Sequence, residues 1–142
     1  MANKRADTMV PIHDLLARRW NGWAFDSERP VSRAQLMAML EAARWAPSVG
    51  EEEPWSCVVW DRFNNELGWQ KAFECLAPGN QLWAAAAPVL ILSLAATKSK
   101  RTGKVNPWAQ HDAGAASENL CLQAAAMGLY AHQIGDFDRR KT

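Results

Sequence analysis

The sequence predicts an α/β fold, a central β-sheet flanked by helices. Three observations carry that expectation. Short apolar runs that read as strands (Ser56 to Trp60, Val89 to Leu94, Leu129 to Ile134) alternate with stretches of helical spacing. The run Val89-Leu90-Ile91-Leu92-Ser93-Leu94 is apolar on both faces, as a covered sheet strand is. A long alanine-rich stretch from Asn106 to about Met127 reads as a helix buried on more than one side.

Each element has its own local signal. Pro11 can open a first helix, because its missing N–H costs nothing at the first helical position. Ile12, Leu15, Leu16 and Arg19 then share a face, and Gly22 stops the helix. Ser32 and Gln35 form a capping-box pattern, with Val31 and Leu36 placed as a hydrophobic staple. Pro47 ends that helix near Trp45, because the residue before proline avoids helical geometry. Asn65 to Leu76 reads as helix, weakened at Gly68. Pro78-Gly79-Asn80 is a turn signal, and Gln81 to Ala87 forms a short helix after it. Thr97 to Lys104 carries four basic residues and reads as a loop. Asn106 caps the long helix, Pro107 opens it and Gly128 stops it.

The 142 residues fit one domain, with residues 1–10 expected to be flexible. A net charge of +1 leaves no field that would draw nucleic acid. The most apolar stretch, Leu82 to Ala96, is broken by Pro88 and falls short of the ~20 residues a membrane helix needs. Three widely spaced cysteines argue against a disulfide framework, and with no signal-peptide pattern at the start they lead us to expect the cytoplasm. Eight tryptophans need large burial sites, and flavin or substrate stacking suits one or two of them.

Several chemistries have no residues to carry them. The sequence lacks a phosphate loop, a dinucleotide fingerprint and a nucleophile elbow. His111-Asp112 lacks further metal-spaced ligands, so it reads as a hydrogen-bonded pair on a helix rather than a metal site. Glu51-Glu52-Glu53 reads as a solvated acidic loop.

Four segments in order then resemble the nitroreductase family of FMN-dependent oxidoreductases. Ala17-Arg18-Arg19-Trp20-Asn21-Gly22-Trp23-Ala24-Phe25-Asp26 is similar to the family's opening motif, which grips the FMN phosphate and ribityl chain. Glu41 to Trp55, through Ala46-Pro47-Ser48-Val49, is similar to the family's Ala-Pro-Ser segment ending in Pro-Trp. Asn80 to Leu92 resembles the stretch that sets an asparagine against the flavin ring. His111 to Leu120, running on to Leu129, resembles the long central dimer helix.

The resemblance implies a homodimer with FMN at the subunit interface, NAD(P)H as electron donor and a small-molecule acceptor such as a nitroaromatic or quinone. It implies no catalytic side chain and no metal. Arg19 and Asn21, with Trp20 beside them, would meet the phosphate and ribityl chain, because a guanidinium makes charge-assisted contacts with phosphate. Pro47, Ser48 and Val49 would offer backbone N–H groups and an apolar wall. Asn80 would bond the pyrimidine end of the ring, and the amide near Gly135 would reach flavin N5. Trp23 stands where the family has a second basic residue, Glu51 and Glu53 where it has amides, and Asp136 where it often has glycine. Those departures define the alternative, a non-catalytic scaffold that binds another ligand or partner.

Overall fold

A computed structural model describes residues 5–141. In chain order it contains α1 (Asp14–Arg18), α2 (Arg33–Arg44), a 3-10 turn (Val49–Glu51), β1 (Trp55–Asp61), α3 (Glu66–Phe73), α4 (Pro78–Ala84), β2 (Val89–Ala95) and α5 (Ala109–Ala126). Residues 1–4 of the expected flexible N-terminus lie outside the described residues. Within that stretch, Arg5 pairs with Asp14, and the Ala6 N–H bonds the Ala17 carbonyl at 2.8 Å.

The sheet is an antiparallel pair, with Trp55 opposite Ala95 and Asp61 opposite Val89. The helices pack around it. α2 lies along α5, and their contact is closed by Ala43, Ala46 and Ala116 with Trp55, Ala115 and Leu120 against them. Small side chains let the two backbones approach, so the alanines of α5 serve a helix–helix core within the chain.

Local chemistry explains most boundaries. Ser32 Oγ accepts from the Gln35 N–H at 3.2 Å, and Gln35 Oε1 accepts from the Ser32 N–H at 3.0 Å, completing the capping box. Gly128 follows α5 with φ +71°, the left-handed geometry that ends helices cheaply at glycine. Asn65 caps α3 by accepting from the Gly68 N–H at 2.9 Å. A Cβ at Gly68 would lie 2.5 Å from Asn65 Nδ2, so a larger residue there would displace the capping side chain.

Four expectations are corrected. α1 begins at Asp14, not Pro11, because His13 Nδ1 takes the Leu15 N–H at 3.2 Å and sets the cap. Asn106 does not cap α5 directly. Its Oδ1 takes the Trp108 N–H at 3.0 Å in a side-chain turn one residue upstream, and α5 starts at Ala109. Pro78-Gly79-Asn80 is the first turn of α4 rather than a loop, with proline at its favoured first position. Leu129 to Ile134 is not a strand. It is irregular, because no described residue offers it a ladder partner.

Candidate functional site

The predicted site residues fall into three groups, and α5 relates two of them. Arg19, Trp20 and Asn21 follow the end of α1. The Arg19 Nε pairs with Glu118 Oε1 on α5 at 3.1 Å, and its Nη1 donates to Asn21 Oδ1 at 3.4 Å. The Arg19 side chain is 30% exposed, so the guanidinium keeps donors that face outward. Nearby, Asp14 pairs with both Arg5 and Arg18. Three guanidiniums thus face two carboxylates, and the region carries an uncompensated positive charge. Trp20 packs edge-on to Tyr130, with centroids 6.3 Å apart.

Pro47, Ser48 and Val49 form the second group. The Val49 N–H donates to Asp112 Oδ2 at 3.1 Å, and Ser48 Oγ accepts from the Glu53 N–H at 3.0 Å. Asp112 is 2% exposed. It sits in the first turn of α5, where the helix dipole favours a negative charge, and His111 Nδ1 lies 3.2 Å from its other oxygen. The His111-Asp112 pair is therefore the hydrogen-bonded pair expected of it. What sequence reasoning missed is the target: Asp112 clamps the Pro47–Val49 loop to α5. Asp112 and Glu118 are six residues apart, about 9 Å along the helix.

The third group is Asn80 with Gly135. Asn80 Nδ2 donates to the Asp136 carbonyl at 3.1 Å, which holds α4 against the segment carrying Gly135. That segment also reaches the first group. His132 Nδ1 lies 3.1 Å from the Gly22 carbonyl, and Gln133 Nε2 donates to Glu118 Oε2 at 3.2 Å. Glu118 therefore serves both Arg19 and Gln133, a role no sequence signal had assigned to it.

The acidic loop differs in part from expectation. Glu51 and Glu53 are exposed and take φ +55° and +41°, a region that favours glycine and asparagine. Glu52 is not simply solvated. Its side chain is 12% exposed, accepts from Ser99 Oγ at 2.8 Å and meets Arg101 at 3.4 Å. The basic loop is thus tied to the acidic one.

A cavity of about 370 Å³ lies beside these groups, and none of the eight predicted residues lines it. Its walls are apolar and aromatic. Phe25 stacks on Trp83 at 6.1 Å, and Trp83 meets His132 at 4.3 Å. Cys57, Cys75 and Cys121 all line it. Burial pushes the Cys57 thiol up, and burial with the Glu118 charge pushes the Cys121 thiol up. Neither supplies a thiolate nucleophile at neutral pH.

Comparison with known proteins agrees with this architecture. The chain is 32% identical to a solved oxidoreductase containing FMN, with a TM-score of 0.88, over 99% of this chain and 71% of that one. An FMN-dependent nitroreductase from Clostridium difficile is 25% identical, with a TM-score of 0.63, over 80% of this chain and 60% of that one. A protein of Archaeoglobus fulgidus named "Putative NADH dehydrogenase/NAD(P)H nitroreductase" is 29% identical over 115 residues. The chain spans 62% of that protein's length. Residues 17–142 match the model of the nitroreductase family, and the chain belongs to that family.

Proposed function

We propose that this chain holds FMN and takes part in the reduction of small acceptors, such as nitroaromatics or quinones, with electrons from NAD(P)H. The observation that carries the proposal is Arg19, a partly exposed guanidinium with outward donors in a locally positive region. Two relatives named for FMN support it.

The residues fit a phosphate-bearing ligand. Arg19 would share its fork between Glu118 and a phosphate, which a planar five-donor group can do. Asn21 would add a side-chain donor through its amide. At the 47–49 loop the Val49 N–H is already committed to Asp112, so the Ser48 hydroxyl is the donor that remains. One N–H of Asn80 Nδ2 is committed to Asp136, which leaves its second N–H as a donor and its side-chain oxygen as an acceptor. The Gly135 N–H makes no backbone–backbone bond among the described residues and is available. Bound FMN would supply the electron transfer itself, and the protein's part is to position the flavin and limit water around it. A homodimer with the ligand at the subunit interface, in the cytoplasm, completes the proposal.

The second reading is a non-catalytic scaffold. Glu51 and Glu53 favour it, because a carboxylate cannot donate as an amide does. Purification decides between them. A yellow protein that oxidises NADH or NADPH when a quinone is added supports the redox reading. A colourless protein that takes up no added FMN supports the scaffold.

A further inference from the structure

We propose that Gln133 is a positioning residue for Arg19: by occupying the second oxygen of Glu118, it holds the Arg19–Glu118 pair to one contact and keeps Arg19 Nη2 available to a phosphate. This role rests on the flavin reading above, in which that phosphate belongs to FMN. Two arginine–glutamate pairs of this chain close differently. Arg44 meets Glu41 in a fork, with Nε donating to Oε2 at 2.9 Å and Nη2 to Oε1 at 2.5 Å. A planar guanidinium and a carboxylate adopt that geometry when the carboxylate has no other donor to serve. Arg19 instead meets Glu118 through Nε, 3.1 Å from Oε1. Glu118 Oε2 accepts from Gln133 Nε2 at 3.2 Å. A fork needs both oxygens turned into the plane of the guanidinium, and the donor at Oε2 holds that oxygen elsewhere.

The Gln133 amide is itself held in place. Its Nε2 also donates to Cys121 Sγ at 3.6 Å. Glu118 and Cys121 stand three residues apart in α5, so the two N–H groups of one amide grip a single turn of helix. The neighbouring His132 sets its Nδ1 3.1 Å from the Gly22 carbonyl, just past Arg19 in the chain. Tyr130 to Gly135 make no backbone–backbone hydrogen bond among the described residues. Side chains therefore register this segment on Arg19 and Gly22, and Gln133 supplies the contact that reaches the ion pair.

The consequence falls on the donors of Arg19. Its Nε faces Glu118 and its Nη1 donates to Asn21 Oδ1 at 3.4 Å. Among the described residues no hydrogen bond takes an N–H of Nη2. Without the Gln133 donor, Glu118 Oε2 can turn onto Nη2 and complete the fork seen at Arg44. A closed fork is the stronger pairing, and it withdraws from a phosphate the N–H groups that phosphate needs. Arg19 and Glu118 are both partly exposed, and ion pairs near solvent contribute little to stability. The effect of Gln133 is therefore on the direction of the guanidinium rather than on folding.

The test is Gln133→Met in the whole chain, which keeps the side chain's length and removes its donor. Gln133 is exposed, so the fold is expected to stand. NMR of the Arg19 side-chain nitrogens, without ligand, reads the pair directly. Rotation of the guanidinium about its Nε–Cζ bond is expected to slow about threefold or more in the variant, because a fork resists that rotation and a single contact does not. Equilibrium dialysis is expected to show the preference for FMN over riboflavin falling about fivefold, with riboflavin binding unchanged. In a Glu118→Ala background the same substitution is expected to change neither quantity. Unchanged rotation in Gln133→Met overturns the proposal. So does slowed rotation with an undiminished preference for FMN, or a preference that falls equally in the Glu118→Ala background. A native chain that prefers neither ligand contradicts the flavin reading instead, and slowed rotation in the variant then still upholds the hold of Gln133 on the pair.

Discussion

The two sides of this molecule are built to different standards of packing. Between α2 and α5 the helices meet directly through alanines, with Ala116 at 3% and Ala43 at 3% exposure, and an open groove lined by Ala38, Ala42, Asn119 and Leu122 runs beside that contact. Between β2 and residues 129–134 the walls stand apart around about 370 Å³. The residues of the proposed site divide between the same two regions. Arg19 is tied to α5 through Glu118 and the Pro47–Val49 loop through Asp112, while Gly135 follows the segment that borders the cavity.

Substitutions can break or sharpen that comparison. The largest effect is expected at Asp112, the buried carboxylate that ties the Pro47–Val49 loop to α5. Asp112→Ala removes a charged acceptor from the Val49 N–H, and a loss of about 2 to 3 kcal/mol is expected by urea denaturation. Next comes one substitution made on each side. Ala46→Leu on the closed α2–α5 side forces extra carbons into a filled contact and costs about 2 kcal/mol. Ala87→Leu, also buried but lining the cavity, is expected to stabilise by about 1.5 kcal/mol, from three carbons at ~0.8 kcal/mol each less the side-chain entropy. The same sign at both positions would show that the two sides do not differ. The smallest effect is expected at Glu51, whose φ of +55° suits asparagine better than glutamate. Glu51→Asn should raise stability by about 0.5 kcal/mol, read as a small upward shift in melting temperature.

The helical side was legible in the sequence because its signals are local. Ser32 and Gln35 announce a cap, Pro47 a stop and Gly128 an end, and each works within a few residues of chain. Val89 to Leu94 was legible as a strand for the same reason, being a short apolar run behind a proline. Leu129 to Ile134 is a similarly short run, interrupted by His132 and Gln133, yet a strand exists only with a partner, and pairing is not written in the run itself. The site was legible in kind but not in connectivity. Arg19 could be picked out as a guanidinium, while its partner Glu118 lies 99 residues away and is brought to it only by the packing of α1 on α5. The commitment of the Val49 N–H to Asp112 is likewise a tertiary fact, 63 residues apart in the chain.

Equilibrium dialysis of the purified chain against FMN and riboflavin, with the Arg19→Ala variant alongside, tests the flavin proposal most directly. The two ligands differ only in the phosphate, so the comparison isolates the group Arg19 is proposed to hold. The expected result is micromolar FMN binding at least tenfold tighter than riboflavin, with that preference lost in the variant while riboflavin binding is unchanged. Equal binding of the two ligands by the native chain, or the same preference in the variant, would contradict it.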